Sequence, residues 1–259
     1  MSKSIVIITG ASSGLGEQFS LQIDAHFRKT DEIWLIARRK ERLVKLSRRL
    51  RNNTRIMAMD ITDDEQLNVL RSTLQQYDCQ IRILVNCAGY GVIGDFSKLE
   101  YEEQMGMIRL NCEALTKMTY LCLPYMVKGS RIIQLASSAA FMPQPGFAVY
   151  AASKAYVHSF TQALGAELKE KDIYVTSVCP GPVDTPFFDI AEKDGQILAI
   201  KAMSLVDSYD VVSKALRDSI DKKNVSVYSF PIKGFALLTK LIPHRVLVPF
   251  VRRMKEQNK

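Results

Sequence analysis

Short apolar, β-branched runs alternate with amphipathic stretches along most of the chain. Residues 4–9, 32–37, 55–59, 81–86, 131–136, 173–179 and 225–230 carry the runs, most of them nearly continuous in apolar residues. Such runs predict strands covered on both faces. Between them, residues 41–50, 64–76, 101–126 and 150–170 repeat apolar positions at helical spacing. This alternation predicts an α/β fold, a doubly wound parallel sheet of about seven strands with helices on both faces. Right-handed crossovers then bring the C-terminal ends of the strands to one edge, where ligands bind. No repeat, low-complexity tract or linker divides the chain, so residues 1–259 are expected to form one domain.

The pattern weakens towards the C-terminus. Pro180-Gly-Pro182 ends a strand, and residues 185–205 have no clear period, with Phe187, Phe188 and residues 197–200 supplying much of their apolar content. Segment 180–205, lying over a sheet edge, could be a substrate lid or equally an ordinary surface excursion with a helix. Segment 234–259 is apolar and basic and is broken by Pro243 and Pro249. It could pack on the domain, cover a subunit contact or touch a membrane surface as a peripheral contact. Packing is the favoured reading.

Composition adds exclusions. With 47% hydrophobic and 24% charged residues the chain is ordinary for a globular protein. Five cysteines, at 79, 87, 112, 122 and 179, form no C-x-x-C pair and no metal-like spacing with the three histidines. No metal is expected, and a reduced cytoplasmic setting fits. The N-terminus reads as a strand followed by a polar glycine-rich turn, not as a signal peptide. No run is long and apolar enough to span a bilayer. The net charge of +8 lies largely between Arg38 and Arg55 and at Arg252, Arg253 and Lys255. Solvated helix faces account for it better than nucleic acid does, and no nucleic-acid partner is expected. A narrower use is also open: one or two arginines could meet a phosphate on a small cofactor.

The run Thr9-Gly-Ala-Ser-Ser-Gly-Leu-Gly16 follows the first strand and opens a helix. Gly10 can turn tightly, Gly14 lets the backbone approach a pyrophosphate, and Gly16 permits close helix–strand packing. Free N–H groups at the helix start would hold the anion. The second strand ends Leu35-Ile-Ala-Arg-Arg39, without Asp or Glu. An acidic residue there would bind a ribose 2′-hydroxyl, whereas arginine accommodates a 2′-phosphate. NADP(H) is therefore the expected cofactor, with Arg38 the leading phosphate ligand and Arg39 the second.

Tyr150 and Lys154 stand four residues apart, after a strand-like segment that ends at Ser137. Alone, this spacing is common on solvated helices. On one helix face, however, an ammonium about 4 Å from the phenol would favour phenolate by roughly 4 kcal/mol at an effective dielectric near 20. That would bring a phenol towards neutral pH, where acid–base exchange is efficient.

In their order these residues resemble the short-chain dehydrogenases/reductases, in their single-domain branch. The likeness runs from Ser4 to Thr185 and includes the glycine turn, Asp60, Asn86-Cys-Ala-Gly89, Asn111, Ser137, Tyr150-Ala-Ala-Ser-Lys154 and Pro180-Gly-Pro-Val-Asp-Thr185. Cys87 departs from the usual Asn-Asn-Ala-Gly run. The resemblance implies a Rossmann fold and a catalytic set of Asn111, Ser137, Tyr150 and Lys154. Tyr150 would be the acid/base, and Lys154 would lower its pKa and hold the nicotinamide ribose. Ser137 would bond the substrate oxygen, with Ser138 the competing serine, and Asn111 would position a water linking Lys154 to solvent. Gly10, Ser12, Ser13, Gly14, Leu15 and Gly16 would line the cofactor, with Arg38, Arg39, Asp60, Ile61, Asn86, Ala88 and Gly89. Tyr150, Lys154, Pro180, Gly181, Val183 and Thr185 would complete its site, Thr185 approaching the carboxamide.

The expected activity is an NADP(H)-dependent oxidoreductase interconverting a carbonyl and a secondary alcohol (class 1.1.1). The alternative is a non-enzymatic, cofactor-binding regulatory or scaffold protein, although the serine, tyrosine and lysine are all kept. Phe141, Met142, Pro143, Pro145, Phe147, Phe187 and Phe188 suggest an apolar pocket wall and a hydrophobic small-molecule substrate. Family resemblance suggests a homodimer or homotetramer, with helices 101–126 and 150–170 as candidate contacts. His158 is expected to pack or hydrogen-bond along its helix, and the methionines at 57, 59, 105, 107 and 118 to fill core.

Overall fold

Successive side chains of a strand point to opposite faces, and that alternation builds two separate cores here. In β1 (Lys3–Thr9), Ile5 and Ile7 enter one core, whereas Val6 and Ile8 enter the other. In β2 (Glu32–Ala37), Trp34 and Ile36 go with the first, Ile33 and Leu35 with the second. The computed structural model describes residues 2–27, 29–191 and 205–249. The first core is closed by α3 (Asp64–Gln76), α5 (Leu115–Cys122) and α6 (Ala148–Glu167). The second is closed by α1 (Gly14–His26), α2 (Lys40–Ser47) and α8 (Ser208–Ile220). Each fully buried Ile, Leu or Val on the strands contributes roughly 1.5–3 kcal/mol.

The remaining strands are β3 (Asn53–Ala58), β4 (Cys79–Asn86), β5 (Met126–Leu135), β6 (Tyr174–Val178) and β7 (Val225–Ser226). All seven run parallel in the order β3-β2-β1-β4-β5-β6-β7. The expected doubly wound sheet is therefore present. Strand order reverses between β1 and β4, and the crevice beyond their C-terminal ends is where such sheets bind ligands.

Several expected boundaries are corrected. The single helix over 101–126 is three pieces: α4 (Tyr101–Ile108), a π-helical turn (Arg109–Ala114) and α5. Pro124 ends it in a short 3-10 turn, and Met126 already belongs to β5. The strand expected over 225–230 stops at Ser226. Phe230 begins α9 (Phe230–Leu241), with the Ser229 hydroxyl accepting from the Ile232 N–H as its cap. Of segment 180–205, a short helix α7 (Phe187–Ala191) is described, and residues 192–204, including 197–200, lie outside the described residues. Residues 250–259, with Arg252, Arg253 and Lys255, also lie outside them. In the described part of 234–259, Thr239 is buried while Leu237 and Leu241 stand exposed.

The edge strand β7 is anchored by Asp218, 1% exposed, which accepts from Lys214 (2.5 Å), Lys223 (2.8 Å) and the Ser226 hydroxyl (2.8 Å). Burial pushes this carboxyl up, but the hydrogen bonds from Lys214, Lys223 and Ser226 outweigh it and hold it below the usual carboxylate range.

Candidate active site

The crevice at the strand reversal is a cleft of about 680 Å³. Its floor is fixed by Thr9 at the end of β1, whose hydroxyl accepts from the N–H groups of Cys87 (3.1 Å) and Ala88 (3.2 Å). This ties the glycine turn to the segment after β4. Gly10 and Gly14 take positive φ, at 68° and 56°. A Cβ on Gly10 would come 2.8 Å from the Ala88 nitrogen, so no larger residue fits that approach.

Helix α1 starts at Gly14 with Ser13 in the N-cap position, yet Ser13 makes no side-chain cap. Its hydroxyl is turned to Arg39, which donates to Ser13 (2.9 Å) and Ser12 (3.1 Å). The first turn of α1 therefore has no side-chain cap, and its residues Gly14 and Leu15 line the cleft, an arrangement that leaves backbone N–H groups for an anion. Arg39 meets no carboxylate among the described residues. Burial lowers its pKa first, and the charges of Arg42 and Arg38 add to this. Arg38 is 76% exposed and lies 3.7 Å from Asp60. Asp60 also accepts from the Thr62 backbone (2.9 Å) and hydroxyl (2.7 Å). Crowded guanidinium groups beside an uncapped helix start are a donor set suited to a dinucleotide carrying an additional phosphate.

At the other end stand Ser137, Tyr150 and Lys154. Tyr150 is buried in α6, its ring stacked on Phe147 at 4.2 Å and tilted against Phe187 at 5.5 Å. Ser137 follows β5, and its hydroxyl accepts from the Ala139 N–H at 3.1 Å. Burial pushes the Tyr150 phenol up to about 12, opposed by its hydrogen bond with Ser137. Lys154 is also buried, and burial pushes its ammonium down to about 8. Its Nζ donates to the Leu135 carbonyl at 2.6 Å and sits 5.7 Å from the centre of the Tyr150 ring. The helix places both groups on one face as expected, and burial disfavours the charged form of each, phenolate for Tyr150 and ammonium for Lys154.

Asn111 occupies the π-helical turn, a distortion frequent at functional sites. Its amide donates to the Tyr90 carbonyl (2.9 Å) and Ser153 hydroxyl (3.0 Å) and accepts from the Tyr90 N–H (3.1 Å). A Cβ on Gly89 would lie 2.9 Å from the Asn111 carbonyl oxygen and 3.3 Å from Lys154 Nζ, so the three pack in direct succession.

The predicted site residues line the cleft except for Gly16, Asn86 and Asn111, which stand behind the wall. Gly16 packs against Gly10. Asn86 was expected at the cofactor, but its amide donates to Thr119 and Gln134, both at 3.0 Å, in a buried network bridging β4 and β5. Of the expected apolar wall, Phe147, Phe187 and Phe188 face the cleft, and Phe141, Met142, Pro143 and Pro145 do not. Phe141 instead meets His158 edge-on at 5.4 Å, and His158 bonds Ser177 at 2.9 Å, the packing role expected of it. Ser138 also lines the cleft, with its backbone N–H bonded to the Pro180 carbonyl at 2.8 Å.

Sequence reasoning missed Glu102 and Arg109, paired at 2.5 Å in the cleft wall, and Gln144. Gln144 is 5% exposed and is the polar residue in an otherwise apolar 141–147 run, a signal that could have marked it. No group of metal-binding side chains occurs among the described residues.

A family model described as short chain dehydrogenase matches residues 4–195. The chain belongs to this family. An uncharacterised oxidoreductase of Staphylococcus epidermidis is 30% identical over 208 residues, covering 80% of this chain and 89% of that one. Sulfoacetaldehyde reductase 2 of Chromohalobacter salexigens is 33% identical over 192 residues, covering 71% and 74%. A short-chain dehydrogenase from Sphingobium yanoikuyae, solved in complex with NADPH, superposes with a TM-score of 0.78 at 28% identity, covering 90% and 92%. As a short-chain dehydrogenase the chain is an oxidoreductase of alcohols and carbonyls with a nicotinamide cofactor.

Proposed function

We propose that this protein is an NADP(H)-dependent reductase that converts an apolar ketone or aldehyde to the alcohol, and runs in reverse on the alcohol. The observation that carries the reading is the buried Tyr150 phenol and Ser137 in one cleft with an uncapped helix start flanked by Arg39.

The α1 N–H groups would hold the pyrophosphate, with Ser12 and Leu15 beside it. Arg39 comes first and Arg38 second for a ribose 2′-phosphate, because Arg39 already reaches the glycine turn. Asp60 and Ile61 would flank the adenine, with Ala88 and Gly89 along the middle of the cofactor. Pro180, Gly181, Val183 and Thr185 would border the nicotinamide. Bound there, the reduced nicotinamide would supply the hydride. Ser137 and Tyr150 donate to the carbonyl oxygen, where negative charge develops. Tyr150 then gives its phenolic proton to that oxygen as the general acid. Lys154 spends one N–H on Leu135 and keeps two for ribose hydroxyls. Asn111 holds the Tyr90 backbone and so the wall beside Lys154.

Phe147, Phe187 and Phe188 support an apolar substrate. Assembly through α5 and α6 as a homodimer or homotetramer belongs to the same reading, since Tyr120 and Tyr156 stand exposed there. The test is a panel of ketones, aldehydes and alcohols followed by nicotinamide absorbance, with NADPH and NADH in parallel. The reading expects turnover of apolar carbonyls with NADPH. Turnover confined to NADH, or to charged carbonyls, would overturn it.

A further inference from the structure

Helix α9 reverses the arrangement expected of a surface helix, which places polar residues outward. Ile232 and Thr239 are buried against the domain, and Ile232 meets Gly181 of the cleft wall. At 100° per residue, Phe230, Leu237 and Leu241 fall within about 40° of one another on the opposite face. They are 85%, 60% and 72% exposed. Leu238 widens this stripe, and Val246 extends the exposed apolar surface beyond the helix.

Charge on this surface has one sign. Lys233 and Lys240 flank the stripe together on one side, and Lys233 Nζ lies 5.1 Å over the Phe230 ring. His244 and Arg245 follow. From Phe230 to Pro249 there is no acidic residue, and the sequence beyond adds Arg252, Arg253, Lys255 and Lys259 against Glu256 alone. A second copy docked by the same face would set these cations against themselves across a two-fold axis. A spanning role is closed to the helix, because twelve residues cover about 18 Å of a bilayer core near 30 Å.

We propose that α9 docks the protein on an anionic lipid bilayer, lying in the plane of the interface. Phe230, Leu237 and Leu241 enter the headgroup–acyl boundary, and Lys233, Lys240 and Arg245 meet anionic headgroups. The same helix packs on the turn Ser138–Phe141 that follows Ser137, so the docked protein presents the substrate end of its cleft to the lipid. An apolar carbonyl dissolved in the bilayer would then reach the site directly. That last step rests on the proposed reductase activity; the docking does not.

The test is co-sedimentation of the full chain with phosphatidylcholine vesicles, with and without phosphatidylserine, at low and high salt. The protein should pellet with the anionic vesicles only, and less at high salt. A Leu237→Glu/Leu241→Glu variant and a Lys233→Glu/Lys240→Glu variant should each partition about tenfold more weakly. Circular dichroism and NADPH titration of both variants report whether the fold and cleft are intact, so a failed fold is recognised and the second variant decides. Wild-type protein left in the supernatant with both vesicles would overturn the proposal. So would intact variants that pellet as wild type does, or a dimer seen by light scattering that the leucine variant splits without any vesicle binding. None of these readouts uses turnover, so failure of the docking and failure of the reductase reading are distinguishable.

Discussion

Arg39→Ala is expected to weaken NADPH binding and leave NADH nearly untouched. In the structure the guanidinium donates to Ser13 at 2.9 Å and Ser12 at 3.1 Å through one nitrogen, leaving further N–H groups for a ligand. Arg38 and Arg42 crowd it, and no carboxylate among the described residues pairs with it. A hydrogen bond to a charged group contributes about 1.5–3 kcal/mol. Its loss corresponds to roughly 10- to 150-fold in affinity, at 1.4 kcal/mol per factor of ten. NADH lacks the 2′-phosphate and should change by less than about threefold. The assay is fluorescence titration of both reduced cofactors into wild type and variant. An equal loss for both would mean that Arg39 serves the shape of the glycine turn through its serine contacts. Unchanged NADPH affinity would remove it from the phosphate site. Either result refutes the reasoning.

Three further outcomes follow from buried groups and close packing. Asp218→Asn should destabilise the fold by roughly 1–3 kcal/mol in urea unfolding, because Lys214 and Lys223 lose a buried counter-charge. Its carboxyl lies below the usual range, so its contribution is present above the unfolded-state pKa and is lost as pH falls through the lower folded value. The variant should accordingly flatten part of the acid limb. Lys154 is held at about 8, below its ordinary 10.5, so across that window the unfolded chain binds the extra proton and stability rises with pH. Urea unfolding of Lys154→Met should lack that rise, whose slope for one proton is at most about 1.4 kcal/mol per pH unit. Gly91→Ala would place a methyl 2.6 Å from the Tyr150 ring and 2.8 Å from Phe147. Overpacking of this kind costs about 1–3 kcal/mol, so kcat should fall while NADPH affinity holds.

The sheet was legible because strands buried on both faces leave continuous apolar runs, as β1 and β2 do. The glycine turn was legible because Gly10 permits an approach that a side chain would block. The π-helical turn at Asn111 was not, since one extra residue per turn leaves helical periodicity almost unchanged over a short stretch. The direction of the Asn86 amide, towards Thr119 and Gln134, was not legible because a motif gives a residue's position on a strand and not where its side chain points. The Tyr150–Lys154 pair shows the same limit in electrostatics. Spacing of four residues sets a common helix face, whereas the burial that raises the phenol and lowers the ammonium comes from tertiary packing. Phe230 was read as strand because apolar character alone does not separate a strand end from the first turn of a helix.

The most direct test of the account is Tyr150→Phe, assayed with NADPH and an apolar carbonyl that the wild type reduces. The ring still stacks on Phe147 and the cleft keeps its shape, so only the proton donor is removed. The account predicts a fall in kcat of about 100-fold or more, the scale of general acid catalysis, with NADPH affinity within about twofold of wild type. Turnover close to wild type would contradict it.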